Sequence, residues 1–264
     1  MKKIISTKNK QLKKWKKLHT KKGRLLDKEY LIEGFHLVEE AYKTEQKIKV
    51  VLYTKRKEAP WSEFLNHFAD QQKIFVSDKA MKVISTLKSP QGIAAIITLE
   101  EESVFKLFSG RWLMLDNVQD PGNVGTMIRT ADAAGFTGVI FGEGTIDPYQ
   151  AKVLRAMQGS NFHLQIIQGN LKSWIIKLKA QGFLIYGTEV NKKATSFLQF
   201  KKVANCALIV GNEGQGVART LLKMTDQNGY IPILGKAESF NVSVAAGILM
   251  YQMSTKICST HPIS

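Results

Sequence analysis

From Arg111 onward the chain alternates between apolar, strand-like runs and amphipathic, helix-like runs, and this alternation constrains the fold more than any other feature. Strands that alternate with helices indicate a mostly parallel sheet that is covered on both faces. The predicted strands are "RWLMLDNV", "GVIF", "LQIIQ", "FLIYGTEV", "CALIV" and "YIPIL", and the predicted helices are "NVGTMIRTADAAG", "YQAKVLRAMQGS", "LKSWIIKLKAQG" and "VARTLLKM". The expected fold class is therefore α/β.

A second, smaller α/β region precedes this one. The runs "IKVVLYT", "KIFVSD" and "GIAAIITLE" predict strands, whereas "EYLIEGFHLVEEAY" and "AMKVISTL" predict helices. The stretch "EESVFKLFSG" is expected to be a linker that ends at Gly110. We therefore predict a basic arm or helix over residues 1–26, a small α/β domain over 27–104 and a larger domain over 105–264.

The charge of the chain is strongly positive and is concentrated at its start. The 264 residues have a formal net charge of +16, and residues 1–24 contain eleven Lys or Arg and no acidic residue. Such a run indicates a surface that binds a polyanion, most often nucleic acid, and the alternative is a solvated, partly disordered tail. An anionic membrane surface fits less well, because few bulky apolar residues accompany the lysines.

No pattern in the sequence indicates a membrane span, a metal site or a disulfide. The longest uncharged apolar stretch, 240–253, is shorter than the roughly 20 residues that cross a bilayer. The first lysines are not followed by the apolar core of a signal peptide. Cys206, Cys258 and the five scattered histidines do not have the spacing of a zinc or haem site. We expect a cytoplasmic protein with reduced, structural cysteines and no bound metal.

Three loops that follow predicted strands are rich in glycine and polar residues, and ligands of open α/β sheets bind at such loops. In the first, Asp120, Pro121 and Gly122 predict a turn, and Asn123 is a candidate cap for the helix that follows. Arg129 lies six residues after Asn123 on that helix. A helix start with a nearby arginine suits a phosphate group, and the alternative is an ordinary capped helix with a surface arginine.

The second loop, "LIVGNEGQGV", places Gly211, Gly214 and Gly216 after a buried strand. This pattern indicates a sharp turn or a close approach of the backbone to another group. The spacing is GxxGxG rather than the GxGxxG of dinucleotide sites, and the chain contains no GxxxxGK[ST] P-loop. Because Glu213 would repel a pyrophosphate, the loop favours a neutral or cationic ligand.

The third loop, "IPILGKAESFNVSV", leads into an apolar segment that ends at Met253. Residues 239–244 alternate as in a strand, but Asn241 also fits the cap of a helix. We favour the capped helix, with Ser239 and Asn241 at its start, although capping alone can explain both side chains. The helix from Val244 to Met253 is then a candidate for the core or for a dimer contact.

In this order and with these residues, the three loops resemble those of the SpoU (TrmH-type) family of RNA ribose 2′-O-methyltransferases. The resemblance covers residues 111–254 through the motifs "NVGTMIR", "VGNEGQG" and "IPILGKAESFNVSVAAG". The segments "YLIEGFHLVEEAY" and "SPQGIAAI" resemble the small substrate-binding domain that precedes the catalytic domain in many members.

The resemblance implies a trefoil-knotted, SPOUT-type domain that binds S-adenosylmethionine and forms a homodimer through the C-terminal domain. Periodicity cannot reveal a knot, which connection rules otherwise exclude. By motif position, backbone groups of Gly211, Ile231 and Phe240 would bind the cofactor. Many members have Leu where this chain has Phe240, and the change only reshapes the pocket if the contact is through backbone.

The resemblance also implies an enzyme that transfers a methyl group to a ribose 2′-hydroxyl of structured RNA. The catalytic residues carried over by motif position are Arg129, Asn123, Glu213, Ser239 and Asn241. A guanidinium keeps its proton in proteins, so we assign Arg129 to holding the adjacent phosphate and lowering the pKa of the hydroxyl. The other four are expected to position the ribose and the loops.

Ribosomal RNA is the expected substrate, because the N-terminal domain and basic arm suit a large folded RNA, and transfer RNA is the alternative. A nicotinamide-dependent enzyme would need a GxGxxG after an early strand, which the chain lacks. A non-catalytic RNA-binding or ribosome-assembly factor would be expected to have lost Arg129 or the Gly211–Gly216 loop, and both are intact.

Overall fold

A computed structural model of the chain describes residues 2–55, 61–99, 109–189 and 194–254. The chain separates into two compact units, the first formed by residues 1–104 with 147–163 and the second by 105–146 with 164–264. The chain therefore leaves the second unit after Ile146 and returns to it at Leu164. Most of the predicted linker, residues 101–108, lies outside the described residues.

The described residues form strands and helices throughout both units. The strands are β1 (Lys2–Ile4), β2 (Glu29–Glu33), β3 (Ile48–Tyr53), β4 (Lys73–Val76), β5 (Ile93–Thr98), β6 (Arg111–Asp116), β7 (Gly138–Phe141), β8 (Gln165–Gln168), β9 (Leu184–Thr188), β10 (Thr195–Ser196), β11 (Cys206–Gly211) and β12 (Gln227–Tyr230). The helices are α1 (Lys10–Lys17), α2 (Lys21–Asp27), α3 (Phe35–Lys43), α4 (Trp61–Phe64), α5 (Asp78–Ile84), α6 (Pro121–Ala133), α7 (Ala151–Met157), α8 (Leu171–Ala180), α9 (Arg219–Leu222) and α10 (Val242–Met253).

The first unit is built on a five-stranded mixed sheet with the strand order β1-β4-β3-β5-β2. Strands β1, β4 and β3 are parallel, whereas β5 runs antiparallel to both β3 and β2. One hydrophobic core, formed by β-strand residues such as Leu52, Ile74 and Ile96, packs against α1 and α5.

The basic residues at the start of the chain are built into this unit. β1 pairs with β4, and Leu12, Trp15 and Leu18 are buried in the core. Because Leu12 and Trp15 are three residues apart, they occupy one face of α1 and leave its lysines on the exposed faces. Residues 2–27 are therefore an integral strand and helices of the unit rather than a detached arm.

The segment "EYLIEGFHLVEEAY", which the sequence predicts as one helix, is a strand followed by a helix. β2 pairs with β5 over its whole length and is buried, and α3 begins only after Gly34. The consecutive apolar residues 30–32 suit a strand with both faces covered. Gly34 has a φ of 103°, a conformation that separates the two elements and that glycine adopts without strain. The helix prediction is wrong for Glu29–Glu33 and confirmed for α3.

Residues 147–163 belong to the first unit, although they lie between two strands of the second unit in sequence. Arg24, whose side chain is 3% exposed, donates from Nη2 to Oδ2 of Asp147 at 2.7 Å. The ring centroids of Tyr30 and Tyr149 are 4.9 Å apart. Breaking a buried ion pair by removing one partner costs about 3–5 kcal/mol, so this pair fixes the segment firmly within the unit.

The second unit contains a seven-stranded sheet with the order β10-β12-β9-β11-β6-β7-β8. Every described strand pairing in it is parallel. Its core includes the fully buried residues Trp112, Ile140, Ile185 and Ile209. The predicted α/β class with a mostly parallel sheet is therefore confirmed.

The parallel arrangement brings the three glycine-rich and polar loops to one edge of this sheet. β11 lies between β6 and β9, and β12 pairs with β9. The loops that follow β6, β11 and β12 therefore leave the sheet at its carboxyl edge, where ligands of such sheets bind. Among the described residues, no helix is long and apolar enough to cross a membrane.

Candidate active site

Asn212 organises the loop that follows β11. Its Oδ1 accepts hydrogen bonds from the backbone N–H groups of Gly214, at 2.9 Å, and Gln215, at 3.2 Å. Its Nδ2 donates to the backbone oxygen of Asn117 at 3.0 Å and so ties this loop to the one after β6. Asn212 was not predicted from the sequence, although an Asn that bonds to nearby backbone is a common signal of a tight turn.

Two glycines of the same loop, Gly211 and Gly216, are required by its geometry. The backbone N–H of Gly216 donates to the oxygen of Asn212 at 2.8 Å, which closes the loop back on the end of β11. A Cβ atom at Gly211 would collide with the backbone of Gly216 and Val217. Gly216 has a φ of 69°, which glycine adopts without strain. The predicted close backbone approach is therefore a contact of the loop with itself.

Asp120, rather than Asn123, caps α6. The Oδ1 of Asp120 accepts a hydrogen bond from the backbone N–H of Asn123 at 2.7 Å, and Pro121 is the first helical residue. Proline is favoured at that position because its missing N–H would have no partner within the helix. The predicted cap is therefore wrong, and the side chain of Asn123 in the first turn is left available for other contacts.

Asn241 caps α10, as the sequence predicts. Its Oδ1 accepts from the backbone N–H of Ser243 at 2.9 Å and from the Ser243 hydroxyl at 2.6 Å. Residues 231–240 form no strand, because β12 ends at Tyr230. The predicted strand "YIPIL", residues 230–234, is therefore wrong apart from Tyr230, because β12 covers Gln227–Tyr230 and Pro232 has no N–H to donate to a neighbouring strand.

Three predicted residues form one hydrogen-bonded chain across the loops. Nδ2 of Asn123 donates to Oε1 of Glu213 at 3.0 Å. Nδ2 of Asn241 donates to Oδ1 of Asn123 at 3.0 Å. Asn123 therefore links the loop after β11 to the start of α10 through both ends of a single amide.

A cavity of about 650 Å³ opens beside this chain of hydrogen bonds. Its walls come from the ends of β9, β11 and β12, the loops that follow them, and α10. Six of the predicted site residues line it: Gly211, Glu213, Ile231, Ser239, Phe240 and Asn241. Lining residues that the sequence motifs did not single out include Glu189, Asn212, Arg219 and Glu238. The second and third of the three loops thus form one concave site.

Asn123 and Arg129 do not line the cavity. Asn123 contacts it indirectly, through its hydrogen bonds to Glu213 and Asn241. Arg129 lies on α6 with an exposed side chain. The structure therefore brings together seven of the eight predicted residues and places Arg129 apart from the cavity.

The cysteine and histidine residues supply no metal site in the described part of the chain. No group of three or more His, Cys, Asp or Glu residues there could hold a metal ion. Cys206 is buried, and burial raises the pKa of its thiol. The charge of the nearby Arg111 opposes this effect only in part, so the pKa is about 11. Such a thiol stays protonated and unreactive near neutral pH. Cys258 lies outside the described residues.

Comparison with protein families assigns both parts of the chain. A model described as the SpoU rRNA Methylase family matches residues 110–251, which include all three loops. A model described as the MRM3-like substrate binding domain matches residues 9–95.

Similar proteins match over nearly the whole length. The 23S rRNA (guanosine(2553)-2′-O)-methyltransferase RlmP of Bacillus subtilis is 46% identical over 254 residues, covering 96% of this chain and 99% of the relative. The AdoMet-bound rRNA methyltransferase of Sinorhizobium meliloti is 28% identical, with a TM-score of 0.85 over 98% of this chain and 99% of that one. A TrmH-family structure from Porphyromonas gingivalis is 28% identical with a TM-score of 0.81, covering 92% and 96%. The chain belongs to the SpoU rRNA methylase family.

Proposed function

We propose that this protein transfers the methyl group of S-adenosylmethionine to a ribose 2′-hydroxyl of ribosomal RNA. The observation that carries the proposal is the convergence of the family motifs. Asn123, Glu213 and Asn241 come from three separate loops and form one hydrogen-bonded chain beside the cavity. A capping role explains only part of this arrangement, because the Nδ2 group of Asn241 is directed to another loop.

The cavity fits S-adenosylmethionine in size and chemistry. A volume of about 650 Å³ lies within the usual range for small-molecule sites. Ile231, Ile233 and Phe240 provide apolar wall, and the Gly211–Gly216 loop provides backbone groups. The charged residues that line the cavity are three glutamates and one arginine, an environment that suits a cationic ligand better than a polyphosphate. We propose that Gly211, Ile231 and Phe240 bind the cofactor through backbone groups.

When bound, S-adenosylmethionine supplies an electrophilic methyl group on a positively charged sulfur. The hydrogen-bonded side chains of Asn123, Glu213 and Asn241 would hold the ribose together with Ser239. Its 2′-hydroxyl would then be aligned for attack on the methyl group. Alignment of this kind contributes about 7–11 kcal/mol to the lowering of a barrier. The apolar wall around Phe240 would exclude water, which favours a reaction in which a positive charge disappears.

We propose that Arg129 acts on the RNA rather than on the cofactor. Its side chain is exposed and does not line the cavity, so a polynucleotide could reach it. A guanidinium binds phosphate oxygens in a bidentate geometry and keeps its charge. Held beside the target nucleotide, that charge would lower the pKa of the hydroxyl and ease loss of its proton.

The RNA surface that we propose for the first unit is the exposed lysine face of α1 and α2. Lys10, Lys13 and Lys17 recur at helical spacing and are exposed, whereas Leu12 and Trp15 are buried. Asp27 is the first acidic residue of the chain, and it forms an ion pair with Lys14. The remaining lysines leave a strongly positive face for RNA phosphates.

For the substrate, we propose 23S rRNA, and within it the guanosine that corresponds to position 2553. Support comes from the 46% identity to the relative of that specificity over 96% of this chain. Transfer RNA is the alternative substrate. A non-catalytic role is disfavoured by the intact site.

We also propose that the protein works in the cytoplasm as a homodimer, and that the second unit carries the trefoil knot of its family.

A methyl-transfer assay with purified components tests the proposal. The protein is incubated with S-adenosylmethionine that carries an isotope-labelled methyl group and with unmodified 23S rRNA or transfer RNA, and the digested nucleosides are analysed by mass spectrometry. We expect labelled 2′-O-methylguanosine from 23S rRNA. Label on transfer RNA alone would select the alternative substrate, and no label on either RNA would contradict the proposed activity.

A further inference from the structure

Glu189 is a charged residue of the cavity to which no motif assigns a role. It follows directly after β9 and lines the cavity with a half-buried side chain. Its backbone is held in place, because its N–H donates to the oxygen of Gly229 at 3.1 Å. The preceding Thr188 is fixed as well, since its hydroxyl donates to the oxygen of Ile209 at 3.2 Å. The carboxylate therefore extends from a rigid strand end.

The carboxylate of Glu189 is compensated less by hydrogen bonds or solvent than the other carboxylates that line the cavity. Glu213 accepts a hydrogen bond from Asn123, and Glu238 is exposed to solvent. Arg219, the cation among the lining residues, is also exposed. Within the described part of the chain, no hydrogen bond or ion pair to the Glu189 carboxylate is present. Glu189 thus contributes a half-buried carboxylate to the cavity.

The methyl donor and its product differ mainly in charge. S-adenosylmethionine has a positive sulfonium, whereas S-adenosylhomocysteine has a neutral thioether, and the adenosine, amino and carboxylate groups are the same in both. A carboxylate in a partly water-excluded cavity interacts with such a charge more strongly than it would in bulk water. Screening by salt is also weaker there than at an open surface.

We propose that Glu189 is a specificity-determining residue that makes the cavity prefer the cationic methyl donor over the neutral product. When the methyl group leaves, the carboxylate loses the positive sulfonium as its partner. The product should therefore be replaced by fresh donor faster than it would be in a cavity without this charge. This inference rests on the proposed function, since it takes S-adenosylmethionine as the ligand. It does not require Glu189 to contact the RNA or to move a proton.

Calorimetric titration of the full chain with each ligand tests the inference without any activity measurement. The quantity to compare is the preference, defined as the Kd of S-adenosylhomocysteine divided by the Kd of S-adenosylmethionine. We expect Glu189→Gln, which keeps the shape and removes the charge, to reduce the preference about tenfold, or about 1.4 kcal/mol. Most of that loss should come from weaker binding of the donor.

Two further variants control the measurement. Glu189→Asp keeps the charge and should keep most of the preference. Glu143→Gln removes an exposed carboxylate that belongs to the same unit and does not line the cavity, so it should leave the preference unchanged. Thermal unfolding of each variant without ligand confirms that it folds.

The outcomes separate this inference from the proposed function. If the unmodified protein binds neither ligand, the proposed function is contradicted and this inference with it. If the unmodified protein binds S-adenosylmethionine but Glu189→Gln leaves the preference unchanged, only the role of Glu189 is contradicted. An equal loss of affinity for both ligands also contradicts it, since it would indicate a contact with a group that the two share.

Discussion

Asn123 is the residue that links the loop after β11 to the start of α10. Its amide donates to Glu213 and accepts from Asn241, so neither an aliphatic nor an acidic side chain could replace it. The structure places Asn123 in hydrogen-bond contact with two residues that line the cavity, whereas its predicted role as the helix cap is wrong. Asp and Asn are almost equally good caps, and the choice of Asp120 reflects Pro121 at the next position, which fixes where the helix begins.

Replacement of Asn123 by Asp should uncouple the loops. The new carboxylate would face Glu213 without a donor between them, and hydrogen bonds to charged groups contribute about 1.5–3 kcal/mol, so we expect methyl transfer to fall by roughly tenfold or more. The measurement is the initial rate of methyl transfer to RNA at saturating S-adenosylmethionine.

The double variant Asn123→Asp with Glu213→Gln provides the matched control. The Gln amide can donate to the new Asp, so the hydrogen bond is rebuilt with its direction reversed. We expect the double variant to be faster than Asn123→Asp alone. Effects of the two substitutions that simply add would show that this hydrogen bond does not couple the loops.

Arg129→Ala should separate catalysis from cofactor binding. Loss of a positioned donor typically lowers turnover by roughly 10²–10³-fold, and we expect a fall of this size in methyl transfer. Because Arg129 does not line the cavity, the Kd for S-adenosylmethionine should change by less than about twofold, well below the tenfold that 1.4 kcal/mol represents. Arg129→Lys keeps the charge but not the bidentate geometry, so its rate of methyl transfer should lie between those of the unmodified protein and Arg129→Ala. Full activity in Arg129→Ala would remove Arg129 from the mechanism.

At the scale of elements, three strands of the second unit, β6, β7 and β11, were the easiest to predict. β6, β7 and β11 are parallel strands buried on both faces, so they read as short, continuous apolar runs between helices. β2 was harder, because its apolar run directly precedes the helical pattern of α3 and only Gly34 separates them. β1, a three-residue strand in a lysine-rich segment, has too short a pattern to be recognised.

The lysine face of α1 can be tested without removing the helix. Deleting residues 2–22 would remove β1 and the buried Leu12, Trp15 and Leu18, so it would damage the fold as well as the charge. We expect instead that Lys10→Gln, Lys13→Gln and Lys17→Gln together weaken RNA binding. Each lysine that binds a phosphate should, when replaced, reduce the slope of log K against log[salt] by roughly 0.7–0.9.

A matched set of substitutions in the second unit controls for net charge. Lys172, Lys177 and Lys223 are also exposed, and changing all three to Gln removes the same number of charges. We expect these substitutions to change the salt dependence less than the α1 set does. Equal effects of the two sets would mean that RNA binding depends on the total charge of the protein rather than on the lysine face of α1.

At the scale of the whole molecule, the grouping of residues into two units could not be read from the sequence. Residues 147–163 join the first unit through side chains such as Arg24 and Asp147, which are far apart along the chain. Local periodicity contains no information on such pairings. The trefoil knot is equally invisible to periodicity and stays a prediction from the family resemblance.

The proposed homodimer is testable through α10, which is apolar on two faces. Ala246, Leu249 and Met253 are buried, whereas Val244 and Tyr251, seven residues apart, are 50% and 58% exposed. We expect Val244→Glu with Tyr251→Glu to give a monomer, because the two charges would have to be buried in a dimer contact. The molar mass is measured by light scattering over a range of concentrations.

Ile176 on α8 provides the control for this surface. It is 61% exposed, so Ile176→Glu introduces a charge at a similarly exposed apolar position on another helix. We expect its molar mass to match that of the unmodified protein. A monomeric unmodified protein, or a dimer that survives both substitutions on α10, would contradict the proposed contact.

Mapping of 2′-O-methyl groups in the RNA of cells with and without this protein tests the proposed function most directly. We predict that one 23S rRNA guanosine, the equivalent of position 2553 in the relative from Bacillus subtilis, loses its methyl group when the protein is absent. Expression of the unmodified protein should restore that methyl group, and expression of Arg129→Ala should not. An unchanged methylation pattern in ribosomal RNA would contradict the proposed function, as would a loss that is confined to transfer RNA.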